Sequence, residues 1–267
     1  MKLADNVFVV TGGGNGIGRA VVGELLRRGA RVAAVDVRAE ALKETADLFD
    51  AGERLSIHTV DLTDRDAVAA LPEAIVAAHG QVDGLLNIAG IIQQFVPFAE
   101  LGYEHMEKVL AVNLWGVVHT TKEFLPALAA RPEASIVNVS SMGGFVPVPG
   151  QTMYGASKAA VKLLTEGLYA ELRDTSIAVT VVFPGGVSTE IADNSGAEVP
   201  GLDATDDAPT SMTSPADAAR QIVDAVEHGR FRVVIGRDAR ILDRLSRLMP
   251  RRTIDLVAKK MAALLDG

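Results

Sequence analysis

Tyr154 and Lys158 stand four residues apart in Tyr-Gly-Ala-Ser-Lys, a spacing that sets a phenol and an ammonium on one face of a helix. A free phenol, with a pKa near 10, is a poor base at neutral pH, and a neighbouring cation favours its anionic form. Such a pair suits general acid/base work. The spacing alone is a weak signal, and Ser141 strengthens it. That serine follows the apolar run Ile136-Val137-Asn138-Val139. If the run is a strand, the hydroxyl sits at the carboxyl edge of a sheet, where open α/β sheets bind ligands. Gly-x-Ser-x-Gly is absent, so a serine-hydrolase elbow is not indicated. His58, His79, His105, His119 and His228 make no metal-ligand spacing, and each reads as surface or packing.

A second chemical feature is the stretch Thr11-Gly12-Gly13-Gly14-Asn15-Gly16-Ile17-Gly18-Arg19. It follows the β-branched run Val7-Phe8-Val9-Val10 and precedes a helical pattern, so the glycines form a strand-to-helix turn. Unpaired N–H groups and the positive helix end there can hold a diphosphate if no side chain blocks it. The spacing is Gly-x-x-x-Gly-x-Gly, which is neither the strict dinucleotide fingerprint nor a P-loop. The next apolar run, Val32 to Val35, ends at Asp36, about 20 positions beyond the glycines, where an acidic residue would accept ribose hydrogen bonds. Asp36 as a plain helix-capping loop residue is the alternative.

These groups need elements to hold them. Apolar runs predict strands over 7–10, 31–35, 55–59, 84–87, 135–139, 178–183 and 232–235, and helical periodicity covers 17–28, 39–48, 65–78, 103–130, 152–173 and 215–227. Alternation of this kind predicts an α/β fold: a Rossmann-like doubly wound parallel sheet of about seven strands with helices on both faces. Residues 1–236 read as a single domain that includes a mobile substrate loop over 190–214. Residues 237–267 read as a basic amphipathic helical extension of that domain.

The chain has 267 residues, no cysteine and a net charge of −8. Disulfides, thiolate nucleophiles and cysteine zinc sites are excluded, and the composition fits a cytoplasmic protein. Neither a signal peptide nor an 18-residue apolar span is apparent. Residues 230–260 carry ten Lys or Arg against Asp238, Asp243 and Asp255, net +7, which leaves −15 on the rest. An acidic body argues against nucleic-acid binding.

Taken together, the motifs resemble the classical short-chain dehydrogenase/reductase family over nearly the whole chain. Thr11, Gly12, Gly16 and Gly18 match its Thr-Gly-x-x-x-Gly-x-Gly, and Asn87-Ile88-Ala89-Gly90 resembles its Asn-x-Ala-Gly. Pro184-Gly185-x-Val187-x-Thr189 resembles its nicotinamide loop. The resemblance implies the catalytic set Asn113, Ser141, Tyr154 and Lys158. Tyr154 would be the general acid/base, Ser141 would bond the substrate oxygen, Lys158 would hold ribose hydroxyls, and Asn113 would hold a water in a proton relay. Asn87, Asn113 and Ser141 as structural groups are the alternatives. A dinucleotide would lie against Gly12, Gly14, Asn15, Gly16, Ile17 and Gly18, then Asp36 and Val37, then Asp61 and Leu62 at the adenine. It would continue past Asn87, Ala89, Gly90, Tyr154 and Lys158 to Pro184, Gly185, Val187 and Thr189.

Asp36 predicts NAD, since a carboxylate repels a 2′-phosphate. Asn15 supports it by resemblance, while Arg38 leaves NADP open. Substrate contacts are expected from Ser141, Gly143, Phe145, Tyr154, Gly186 and Ile191, with Gln93, Gln94 and Gln151 adding polar groups. The walls are apolar and lack Arg or Lys, so the expected substrate is a hydrophobic secondary alcohol or ketone. The alternatives are an NADP-dependent carbonyl reductase and a non-catalytic nucleotide sensor. By resemblance the chain would form a homodimer or homotetramer through its long helices. The tail stripe Ile241, Leu242, Leu245, Leu248 and Met249 is expected to pack on the domain or a sister subunit, with membrane contact the less favoured reading.

Overall fold

A computed structural model describes residues 1–189, 191–197 and 212–265. Seven strands run parallel: β1 (Val7–Thr11), β2 (Arg31–Asp36), β3 (Leu55–Thr59), β4 (Gly84–Asn87), β5 (Ala134–Val139), β6 (Ile177–Pro184) and β7 (Arg232–Ile235), in the order β3-β2-β1-β4-β5-β6-β7. Between them come α1 (Gly16–Arg27), α2 (Ala39–Phe49), α3 (Arg65–His79), α4 (Tyr103–Leu110), α5 (Gly116–Ala129), α6 (Thr152–Leu172), α7 (Ile191–Ser195) and α8 (Pro215–His228). Two more helices, α9 (Arg237–Leu248) and α10 (Pro250–Leu265), close the chain.

Burial on both faces explains the near-continuous apolar strands. In β1, Phe8 and Val10 point to one side, where Val21, Val22 and Leu25 of α1 and Ile222 and Val223 of α8 cover them. Val7 and Val9 point to the other, against Leu71 and Ile75 of α3 and Phe124 and Leu128 of α5. The period of two along the strand thus feeds two separate cores. β3 is the exception, being a half-exposed edge strand.

Strand order reverses at β1, whose neighbours are β2 and β4. A crevice at the carboxyl ends of the strands is expected at that switch point. Thr11 Oγ1 ties it together, accepting from the backbone N–H groups of Ile88 (3.0 Å) and Ala89 (3.2 Å).

The helix expected over 103–130 is interrupted. Residues Ala111–Trp115 form a π turn between α4 and α5. A π turn re-aims side chains by adding a residue to one turn, and here it centres on buried Asn113. The substrate loop expected over 190–214 lies largely outside the described residues; within it α7 is formed. In the tail stripe Leu242 and Leu245 are half-buried, while Ile241, Leu248 and Met249 are exposed on this chain. The break at Pro250 stands as a helix start.

Candidate active site

The glycine turn is built for close approach. Gly12 has φ +70°, and a Cβ there would lie 3.0 Å from the Ala89 backbone. At Gly18 a Cβ would run into the Gly12 carbonyl. Arg19 fastens the turn from behind, its guanidinium donating to Gly14 O at 2.8 Å and to Thr45 Oγ1 at 3.0 Å. No acidic residue stands in the first turn of α1, so nothing on that turn offsets its positive end. At the end of β2, Asp36 Oδ2 accepts from Gly14 N (3.0 Å) and Oδ1 from Arg38 N (3.1 Å). Each carboxylate oxygen has two acceptor sites, so capacity remains for hydroxyl donors. The Arg38 guanidinium is 3.8 Å from Oδ1. Exposed Val37 follows. Asp61, also exposed, uses Oδ1 on the N–H and hydroxyl of Thr63, which fixes the turn that carries Leu62 against Gly116.

Asn87 serves the interior. Its amide donates to Asn138 Oδ1 (2.8 Å) and Thr121 Oγ1 (3.3 Å) and accepts from Thr120 Oγ1 (2.8 Å). Its side chain therefore braces β4 against β5 and α5, and positions the Ala89-Gly90 turn beyond it.

Asn113, Ser141, Tyr154 and Lys158 converge. A methyl placed on Gly90 would be 3.0 Å from Lys158 Nζ and 3.2 Å from Asn113 Oδ1. One placed on Gly143 would be 3.3 Å from Tyr154 Cε1 and 3.4 Å from Ser141 Oγ. Lys158 Nζ lies 6.0 Å from the Tyr154 ring centre. Asn113 accepts from Ile91 N (2.8 Å) and donates to Ile91 O (2.9 Å) and Ser157 Oγ (3.1 Å). Its amide thus holds the Gly90-Ile91 segment to α6.

The Lys158 ammonium is buried at 3 % exposure and donates to Val139 O at 3.0 Å. Burial pulls its pKa from 10.5 down to about 8. Ammonium has three donors, so this one leaves two for a ligand's oxygens. The Tyr154 phenol is pushed above its ordinary value by burial, while a hydrogen bond with Ser141 pulls it back. A neutral phenol is therefore the resting form at neutral pH, and turning it into a base needs added positive charge.

Pro184 ends β6, and the loop after it carries Gly185, Gly186, Val187 and Thr189, the last 3.4 Å from where a Cβ on Gly16 would stand. Asp238 of α9 accepts from Gly186 N at 2.8 Å, and a Cβ on Gly185 would collide with its carboxylate. No local pattern marks these roles of Asp238 and Arg19, since Asp238 meets Gly186 across 52 residues and Arg19 meets Thr45 across 26. Phe145 packs on Phe183 with ring centres 5.4 Å apart and the rings tilted by 60°, and it lines a recess with Lys162, Phe231 and Arg232. Gln93 and Gln151 are buried and bonded to protein partners, which corrects their expected role as cleft groups. Ile191 stays near the site through Ser195, whose hydroxyl donates to Ile191 O and accepts from Ile92 N. His58 and His79 share the Ser56 hydroxyl on the edge strand, away from the cluster.

The family model for short chain dehydrogenases matches residues 6–200. A Mycobacterium tuberculosis protein named as an oxidoreductase, SadH, is 38% identical over 264 residues, covering 96% of this chain and 95% of its own. The 1-deoxy-11-beta-hydroxypentalenate dehydrogenase of Streptomyces exfoliatus is 34% identical over 245 residues, 90% of this chain and 86% of its own. Among solved structures, a short chain dehydrogenase/reductase of Burkholderia phymatum in complex with NAD superposes with a TM-score of 0.79 at 28% identity, covering 88% of this chain and 90% of its own. A Burkholderia cenocepacia short chain dehydrogenase in complex with NADP gives 0.81 at 27%, covering 96% and 99%.

Proposed function

The chain belongs to the short chain dehydrogenase family, and from that premise we propose an NAD-dependent oxidoreductase that moves a hydride between nicotinamide and a hydrophobic secondary alcohol or ketone. The observation that carries the reading is a buried ammonium, Lys158, with two N–H donors to spare beside a phenol and a serine hydroxyl. The residues of the glycine turn and Asp36 fit a dinucleotide, which when bound supplies the hydride acceptor or donor.

In this reading Ser141 donates to the substrate oxygen and stabilises charge developing there. Tyr154 takes the hydroxyl proton during oxidation and returns it during reduction. Lys158 would hold ribose hydroxyls and favour the phenolate, and a bound oxidised nicotinamide would supply the further positive charge that the phenol lacks in the free protein. Asn113, next to Lys158 across Gly90, belongs to the route that carries the proton onward. The remaining cofactor contacts are those named from the sequence, with Asn87 acting through the turn that it braces. Residues 1–236 form the catalytic unit and 237–267 its helical extension.

Asp36 favours NAD because a 2′-phosphate would meet its carboxylate. Arg38 beside it is the one feature that speaks for NADP. Apolar Ile191, held beside the cluster through Ser195, supports a hydrophobic substrate. Exposed Trp115 and Leu163, on the helical segments that carry Asn113 and Tyr154, support a homodimer or homotetramer, which solution mass can test. Among the described residues, no helix is long and apolar enough to cross a membrane. The test is absorbance of reduced nicotinamide over a panel of neutral cyclic secondary alcohols and anionic hydroxy acids, with NAD and with NADP. We expect a higher kcat/KM with NAD; a preference for NADP, or for anionic hydroxy acids, would overturn the assignment.

A further inference from the structure

We propose that Gln93 is a positioning residue that caps the first turn of α6 from a distant loop and thereby fixes the Tyr154 phenol. The inference rests on the acid/base reading of Tyr154 given above.

The first N–H groups of any helix have no partner within it. The usual remedy is a Ser, Thr, Asp or Asn at the cap position. Here the cap position is Gln151, whose side chain makes no capping bond. Tyr154 is the third residue of α6, so its own N–H is among the groups left over. Gln93, 60 residues before Met153, supplies what is missing: its Oε1 accepts from Met153 N at 2.8 Å and from Tyr154 N at 3.0 Å. Its Nε2 donates to Gly150 O at 2.8 Å, and Gln151 Nε2 closes the loop by donating to Gln93 O at 2.8 Å. The amide orientation follows from its surroundings, since two donors face one end and an acceptor faces the other. Gln93 is 1% exposed, so water cannot take over these bonds.

The same short segment is pinned on its other side. Ile91 is held by Asn113 and Ile92 by Ser195. Gln93 therefore relays the position of the β4 loop, next to the dinucleotide crevice, to the backbone that carries the phenol. A phenol displaced by an ångström loses its alignment with the reacting hydroxyl, which can cost about a hundredfold in rate.

Gln93→Leu keeps the side-chain bulk and removes the acceptor, whereas Gln93→Glu keeps the acceptor and removes the Gly150 donor. We expect Gln93→Leu to lower kcat about 10- to 100-fold with KM for NAD changed by less than about threefold, and Gln93→Glu to recover much of the loss. Hydrogen exchange gives a readout independent of turnover. The Met153 and Tyr154 amides should be protected in the wild type, exchange freely in Gln93→Leu and stay protected in Gln93→Glu. If Gln93→Leu does not fold, Gln93→Asn, one methylene too short to reach, should behave as described for Leu. Unchanged protection in the Leu variant, or lost protection with unchanged kcat, overturns the positioning role. A wild type that oxidises no alcohol while the exchange pattern holds would overturn the acid/base reading instead and leave the cap standing.

Discussion

Replacing Lys158 by Met should separate the energetic cost of this residue from its function. The fall of its pKa from 10.5 to about 8 corresponds to about 3 kcal/mol of penalty for holding the charged form in the folded chain. The sign follows from proton counting. Below pH 8 both folded and unfolded chains carry the proton, and the penalty is present in full. Between pH 8 and 10.5 the unfolded chain keeps a proton that the folded chain has lost, so wild-type stability gains as pH rises. Between pH 7 and pH 10 that gain amounts to about 2.5 kcal/mol, and the Met variant lacks it. At pH 7 the variant also gives up the bond to Val139 O, worth about 1–3 kcal/mol, so the absolute difference there is small. The informative quantity is the change with pH. Urea unfolding of the cofactor-free protein, followed by the fluorescence of Trp115, the chain's one tryptophan, measures it at both pH values. Other titrating groups cancel between variant and wild type. The wild type should gain on Lys158→Met by about 2.5 kcal/mol from pH 7 to pH 10, while the variant loses turnover at every pH. Stability curves that stay parallel would refute a buried, displaced ammonium at this position.

Two further substitutions probe the cofactor edge. Asp36→Ser removes the carboxylate that a 2′-phosphate would face; like charges at close quarters cost several kcal/mol, so the ratio of kcat/KM for NADP over NAD should rise about a hundredfold or more. Asp238→Ala leaves Gly186 N without its charged acceptor, and steady-state kinetics should show KM for NAD raised about tenfold, with stability lower by about 1–3 kcal/mol.

The sheet and most helices were legible because every strand but the two at the edges, β3 and β7, is buried on both faces and reads as a largely apolar run whichever way its residues point. The phenol, ammonium, serine and glycine turn were legible because their spacing along the chain is local. What escaped the sequence is non-local. Gln93 looks like a cleft residue until α6 is seen to lack its own cap, and Asp238 looks like a helix-start acid until the Gly185-Gly186 turn lies beneath it. The π turn at Ala111–Trp115 hides within a helical periodicity that one added residue hardly disturbs. Phe145 follows a short 3₁₀ turn, Met142–Gly144, whose direction no periodicity sets, so its packing on Phe183 was not legible. The amphipathic stripe of α9 was legible as a stripe, but its partner surface is not encoded in its spacing.

The central claim is that one phenol moves the proton while the rest of the site holds the dinucleotide. Tyr154→Phe tests it most directly, with NADH binding followed by nicotinamide fluorescence and turnover followed by absorbance in the same preparation. The account predicts NADH affinity within a few-fold of wild type and turnover below about one thousandth of it, in keeping with the 10²–10⁴-fold contribution of a positioned acid/base. A Phe variant that binds NADH and still turns over at a substantial fraction of the wild-type rate would contradict it.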